Sequence, residues 1–415
     1  MNGRKFARYL AAWSVVLAMF AAITVGCSQT QPSKEETKTE PKAEPIKIGV
    51  IEPLTGPVAA AGTAVRDGAL IARDEINGAG GINGRPIELI IEDSANDPAT
   101  ASSAANKLIT RDNVVAMMAA WGSSPTLAVV PICRDNKVPQ IVETASSFKV
   151  TDRNQQGNPW TFRLNAPSRI EAASLKEGLV KDLGFKKVMF LSVNNDWGRG
   201  AILDYTPVVK DGGGEIVGQE FFEQDETNFT PILTRVKQSP ADSVILTTDA
   251  AQVALIADQA HNLGLKVKIL VTGGSCFLDK VIKLVGAPAC EGLMASLMYA
   301  GAYDPSLAAN PEKARYFNEE WKKRGHDWVE VQEAARGYDA IWTLAEAIKT
   351  LPPDQVTREG IRDALTKVHV KGIMFGDISF GEWGDFINQN AAPAGVAVVK
   401  DGQPMVLMKP VVPKP

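Results

Sequence analysis

The order of apolar runs predicts an α/β protein made of two doubly wound parallel sheets, each covered by helices on both faces. Three observations carry that expectation. From Ile46 onward, short β-type runs alternate with stretches of helical spacing. A second series of the same kind begins after Pro167, repeating the architecture without repeating the sequence. After Glu291 the alternation breaks into helices and then a β-rich end, so the chain would pass between the two lobes more than once, leaving a hinged cleft.

The first unit is the run Ile46 to Ile51, a Pro/Gly loop (EPLTGP), and a helix from Gly62 to Asn77 with Val65, Ala69, Ala72 and Ile76 on one face. The Gly-rich stretch Gly78 to Gly84 follows a helix and precedes a strand, the reverse of a phosphate-binding loop, and reads as a turn. The strand Ile87 to Glu92 leads to Asp97-Pro98, which opens a helix through Leu108. Val114 to Ala120 is the third strand, Pro125 to Asn136 the third helix and Pro139 to Val142 the fourth strand. In the second series, helices at Ser168 to Leu183, Ala201 to Asp211, Phe229 to Gln238 and Ala251 to Leu263 alternate with strands at Val188 to Val193, Glu215 to Phe222, Val244 to Thr247 and Lys268 to Val271. Helices are then expected at Asn310 to Arg324, Glu330 to Thr350 and Thr357 to Thr366. Strands follow at Asp377 to Phe380, Val396 to Lys400 and Met405 to Met408.

The 415 residues, 45 % of them hydrophobic, suffice for two cores. A net charge of -4 offers no basic field for nucleic acid, so that partner class is set aside. Arg4, Lys5 and Arg8 precede an uncharged apolar stretch from Tyr9 to Val25, an export signal rather than a spanning helix. Its end, Thr24-Val25-Gly26-Cys27, resembles the bacterial lipobox, which implies lipidation at Cys27; Thr24 departs from the leucine usual there. Residues Ser28 to Pro45 lack aromatic and large aliphatic side chains and read as a solvated tether. Of the remaining cysteines, Cys276 and Cys290 are near enough in sequence to bridge, whereas Cys133 reads as a buried thiol in a helix.

In an open parallel sheet, ligands sit beyond the carboxyl ends of the strands. The loop WGSSPT, Trp121 to Thr126, lies there, with Ser123 or Ser124 as helix cap and Pro125 as first helical residue. The free N–H groups of such a helix start favour an anion. Thr144-Ala145-Ser146-Ser147 ends the neighbouring strand, so both hydroxyl clusters could reach one small carboxylate. The second lobe offers Asn194 to Gly198 with Trp197, and Thr247-Thr248-Asp249. Trp197 fits either core packing or a cover over an apolar ligand side chain, and Asp249 either a helix cap or the acid at that strand end. His261 and His326 sit in polar surroundings, His369 completes the histidines, and no nucleophile, metal or nucleotide motif occurs. No enzyme chemistry, metal or cofactor is expected.

The stretches IKIGVIEPLTG, DEINGAGGING, EDSANDPA, WGSSPT and NNDWG, in this order, resemble the leucine/isoleucine/valine-binding proteins of ABC importers. The resemblance implies a type I periplasmic-binding fold with three crossover strands. Lobe 1 would comprise residues 46–164 and 298–374, and lobe 2 residues 165–297 and 375–415. It further implies a ligand carboxylate at Ser123 with Trp121 and Gly122 beside it, and ammonium and carboxylate contacts from Thr144, Ala145 and Ser146. Trp197 takes the place of another aromatic residue. The family's ammonium-pairing acid is replaced by Gly274, so either Asp249 substitutes or the ligand has no ammonium. Asn96 and Gly122 stand where some members form a disulfide. The expected protein is thus a monomeric, lipid-anchored solute-binding protein outside the cytoplasm. It would deliver an apolar amino acid, or an aromatic or aliphatic carboxylate or amide, to a membrane permease, or act as a sensor.

Overall fold

A computed structural model describes residues 44–155, 157–274 and 276–412. The export signal, Cys27 and nearly all of the tether lie outside the described residues. Two seven-stranded sheets organise the chain. The first contains β1 (Ile46–Glu52), β2 (Ile87–Asp93), β3 (Ala116–Ala119), β4 (Gln140–Val142) and β5 (Thr161–Arg163). The second contains β6 (Lys187–Val193), β7 (Glu215–Phe222), β8 (Ser243–Thr247), β9 (Lys268–Val271) and β10 (Met294–Leu297). A two-stranded ribbon, β11 (Val370–Lys371) with β12 (Asp377–Ile378), stands apart. The end of the chain supplies β13 (Gly381–Trp383), β14 (Phe386–Gln389), β15 (Ala394–Lys400) and β16 (Gln403–Val411).

The first sheet runs β13-β14-β5-β4-β3-β1-β2 and the second β16-β15-β10-β9-β8-β6-β7. The central pairs are parallel, with Ile48 of β1 facing both Leu89 and Ala116, and antiparallel strands occur only at the β13 and β16 ends. Helices cover both faces, so central strands are buried on both sides: Val188 and Phe190 of β6 enter one apolar cluster, Met189, Leu191 and Val193 the other.

Three chain passages join the lobes: after β5, after β10, and at residues 390–393 between β14 and β15. The boundary expected at residue 375 is therefore displaced. β13 and β14 extend the first sheet, where Phe386 joins the lobe-1 core and Gln389 pairs with Arg163. Around these passages the fully buried Arg163 donates to Gln389 Oε1, the Ser147 carbonyl and Thr151 Oγ1, each at 2.6 Å. The expected helix from 168 to 183 is broken into Ser168–Ser174 and Gly178–Lys181. Cys133, Cys276 and Cys290 are all buried free thiols.

In lobe 1 the helices Ala59–Gly78 and Val331–Lys349 lie in near contact. A Cβ on Gly68 would sit 1.8 Å from the Ala334 carbonyl oxygen, and one on Gly337 1.9 Å from that of Val65. No other residue permits this approach.

Candidate functional site

The carboxyl ends of β1, β3 and β4 face those of β6, β8 and β9 across the lobe junction. After β3 the chain enters the Ser123–Asp135 helix, but the cap is Gly122, in extended conformation (ψ 151°), with no side-chain cap bond. Ser123, Ser124 and Pro125 are thus the first three helical residues, and the helix begins two residues earlier than the sequence suggested. Pro125 has no N–H to lose there, and the N–H groups of Ser123 and Ser124 have no acceptor among the described residues. A Cβ on Gly122 would meet Asn96 Oδ1 at 2.2 Å, so the two positions are neighbours in space. Trp121 adopts φ +29°, a strained backbone of the kind that persists where the surroundings over-determine it.

Ser123 Oγ accepts the Ser147 N–H at 3.1 Å, leaving its own proton for another acceptor. Trp197 Nε1 is buried without a partner. Their residues belong to the lining of a chamber of about 30 Å³, formed by Trp121, Gly122, Ser123, Thr144, Ser146, Trp197 and Gly273. Six residues singled out from sequence therefore converge on one space. Trp121, Gly122, Ser123 and Trp197 also line an adjoining cavity of about 300 Å³, which reaches Asn194, Glu223 and Asp249. A third cavity, about 170 Å³, lies beyond Trp121 and Asp249 and is walled by Pro57, Val58, Phe277 and Leu284. Its polar lining includes Lys280, Glu330 and Glu333.

Three sequence expectations are placed differently. Ala145 packs with Val130, Val142 and Val150 and lines none of these cavities. Asp249 does line two of them, but Oδ1 caps the Ala250–Asn262 helix through Ala251 and Gln252, and Oδ2 accepts from Gln224 at 2.7 Å. Burial raises its carboxyl above the usual range despite those N–H groups. Gly274 is buried at φ +62°, and a Cβ there would meet Met298 Sδ at 2.4 Å. Its carbonyl accepts from Gln332 and from Arg336, both at 2.7 Å, and its N–H donates to Ser296.

Sequence reasoning missed the buried charges behind Trp121. Glu52 ends β1, Glu143 follows β4, and Glu333 and Arg336 come from the Val331–Lys349 helix. Arg336 Nε lies 3.2 Å from Glu333 Oε2, which also accepts from Trp121 Nε1 at 3.1 Å. Both carboxyl oxygens of Glu52, and Oε1 of Glu333, have no hydrogen-bond partner. Burial, then the charges of Glu143 and Glu333, push Glu52 well up; burial pushes Glu143 up to about 7. Acids directly after apolar strands were a usable signal for Glu52 and Glu143. Glu333 sits in an ordinary helical pattern and gave none.

Ion pairs also cross between lobes. Asp196 accepts from Ser124 at 3.0 Å and pairs with Lys149 at 2.9 Å. Lys280 pairs with Glu330 at 2.6 Å, and Lys283 with Asp327. His261 and His369 are exposed, and His326 stacks on Trp321. Among the described residues, no group of three or more His, Cys, Asp or Glu is placed to hold a metal, and no helix is long and apolar enough to cross a membrane.

Residues 45–403 match the family model described as periplasmic binding protein. The leucine-, isoleucine-, valine-, threonine- and alanine-binding protein of Pseudomonas aeruginosa is 26 % identical, over 83 % of this chain and 88 % of the relative. The branched-chain amino acid transporter substrate binding protein of Streptococcus pneumoniae, solved with isoleucine, is 25 % identical with a TM-score of 0.77, covering 89 % of this chain and 100 % of that one. An ABC transporter solute-binding protein from R. palustris, solved with 4-hydroxybenzoate, shares the fold at 20 % identity and a TM-score of 0.75, covering 89 % and 98 %.

Proposed function

The chain belongs to the periplasmic binding protein family, and from that premise we propose that it captures a small carboxylate, an apolar amino acid foremost, for an ABC importer. One observation supports this above the rest: Ser123, whose hydroxyl proton has no acceptor among the described residues, lines one chamber with Thr144, Ser146 and the unpartnered indole N–H of Trp197 from the other lobe. The N-terminus of a 13-residue helix and two hydroxyls suit a carboxylate, since that end carries partial positive charge and donors already freed of water. The adjoining cavity of about 300 Å³ is at the lower bound for small-molecule sites, and Trp121 and Trp197 supply apolar surface. The protein performs no chemistry in this reading. It is exported, anchored through lipid on Cys27, and presents its ligand-bound lobes to a permease.

A second ligand class, carboxylates without ammonium, is favoured by the glycine at position 274, where no acid can stand. A thermal-shift panel of branched, aromatic and polar amino acids beside ammonium-free acids tests the function, because a ligand bound only by the native state raises the melting temperature. Amino acids alone should shift it. A response to ammonium-free acids alone transfers the site to the second class, and silence across every carboxylate refutes both.

A further inference from the structure

The lobe-2 backbone at Gly274 is held by side chains from the other lobe. Gln332 and Arg336, either side of Glu333 on the Val331–Lys349 helix, both donate to its carbonyl at 2.7 Å. The helix that closes over the missing acid therefore carries an acid of its own. Glu333 is 6 % exposed and lines the third cavity, while Trp121, whose Nε1 it accepts, lines all three.

The other acids of the cleft are committed. Asp249 spends both oxygens on its helix cap and Gln224. Glu223 accepts from Asn194 at 2.8 Å, and Glu330, less deeply buried, gives Oε1 to Lys280 although its Oε2 is unpartnered. Glu52 and Glu143 line none of the three cavities. Glu333 alone combines a cavity wall, near-complete burial and an oxygen, Oε1, without a partner. Its nearest cation does not exhaust it. Arg336 directs Nη1 to Asn165 and the Glu143 carbonyl and Nη2 to Gly274, and its one guanidinium serves four carboxyls, Glu52, Glu143, Glu171 and Glu333. An unsatisfied buried carboxylate oxygen is costly, and a donor delivered by a ligand removes that cost.

Resting on the carboxylate-binding reading above, we infer that Glu333 receives the ammonium of an amino carboxylate, replacing from lobe 1 the acid absent at Gly274 of lobe 2. Ligand charge is then bound at two places on one rigid lobe, the carboxylate at the Ser123 helix start and the ammonium beyond the indole of Trp121. Both α- and ω-amino carboxylates present this chemistry. The separation imposed by the indole is read out by comparing them.

The test is titration calorimetry of the full chain with leucine, 4-aminobutyrate and 5-aminopentanoate, beside 4-methylpentanoate and butyrate. Wild type should bind at least one amino carboxylate more tightly than its ammonium-free counterpart. Glu333→Gln, which keeps an acceptor for Trp121, should weaken that ligand tenfold or more and change the ammonium-free acids less than twofold. Glu333→Asp should give a smaller loss with the same selectivity. The ratio of the two affinities within one variant is independent of how much protein has folded. An unchanged ratio in both variants overturns the role of Glu333. Weakened binding of every carboxylate in Ser123→Ala together with an unchanged ratio in the Glu333 variants overturns it while leaving the carboxylate site standing; a wild type that binds no carboxylate overturns both.

Discussion

Glu143→Gln should stabilise the protein, and only above a defined pH. Glu143 is fully buried, and burial, offset in part by its own N–H, the Thr144 hydroxyl, Arg336 and the Trp121 N–H, pushes it from 4.5 up to about 7. The folded state therefore holds this proton more tightly than the unfolded chain. Stability is unaffected by the group below pH 4.5, falls as pH rises from there to about 7, and levels off beyond. At about 1.4 kcal/mol per pH unit, ionising the buried group costs about 3 kcal/mol by pH 8. Glutamine keeps the shape and never ionises. Urea unfolding followed by tryptophan fluorescence at pH 5 and pH 8 should show the variant no more than about 1 kcal/mol more stable than wild type at the lower pH and about 3 kcal/mol more stable at the higher. A gain of the same size at both values would mean that ionisation is not its source, and a loss at pH 8 that the native carboxylate is stabilised as an anion; either would refute the reasoning.

Ser123→Ala removes the candidate donor and strands the buried Ser147 N–H, so carboxylate affinity measured by calorimetry should fall by about 1 to 3 kcal/mol, with a lower melting temperature without ligand. Asp196→Asn cuts the half-exposed pairing with Lys149 across the lobes; affinity should drop only a few-fold, about 0.2 to 1 kcal/mol, and the drop should shrink in high salt. Gly68→Ala drives a methyl into the Ala334 carbonyl and should cost about 3 kcal/mol or prevent folding, seen as a lowered thermal midpoint.

The alternation of strand and helix from Ile46 to Val271 was legible because central parallel strands are continuous apolar runs and the helices between them carry a 3.6-residue period. The passages between lobes carry no such period, and their expected places came from the family resemblance. β5 is three residues with a buried arginine, and β10 and β14 are four each, too short to display any period. At the site, Trp121, Gly122, Ser123, Thr144, Ser146 and Trp197 were readable as hydroxyls and aromatics at strand ends, and they share one chamber. Ala145 and Gly274 were assigned by position in a pattern, and what excludes them from the cavities is a neighbour distant in sequence: Val130 and Val150 for one, Met298 and Arg336 for the other. Asp249 was weighed both ways, and its two occupied oxygens favour the cap. Glu333 and Arg336 are approximately two hundred residues from Trp121, a juxtaposition that only tertiary structure creates.

The glycine-to-glycine contact between the helices Ala59–Gly78 and Val331–Lys349 joins segments that lie far apart along the chain. As the polypeptide lengthens, β6 through β10 emerge in one uninterrupted block and can associate at once, whereas β1 to β4 must wait for a covering helix encoded near the end. Lobe 1 is begun first and finished late. Truncation before residue 333 would then leave lobe 1 without its covering helix and without Glu333, so on the proposed reading incomplete chains could not compete with complete ones for the ligand.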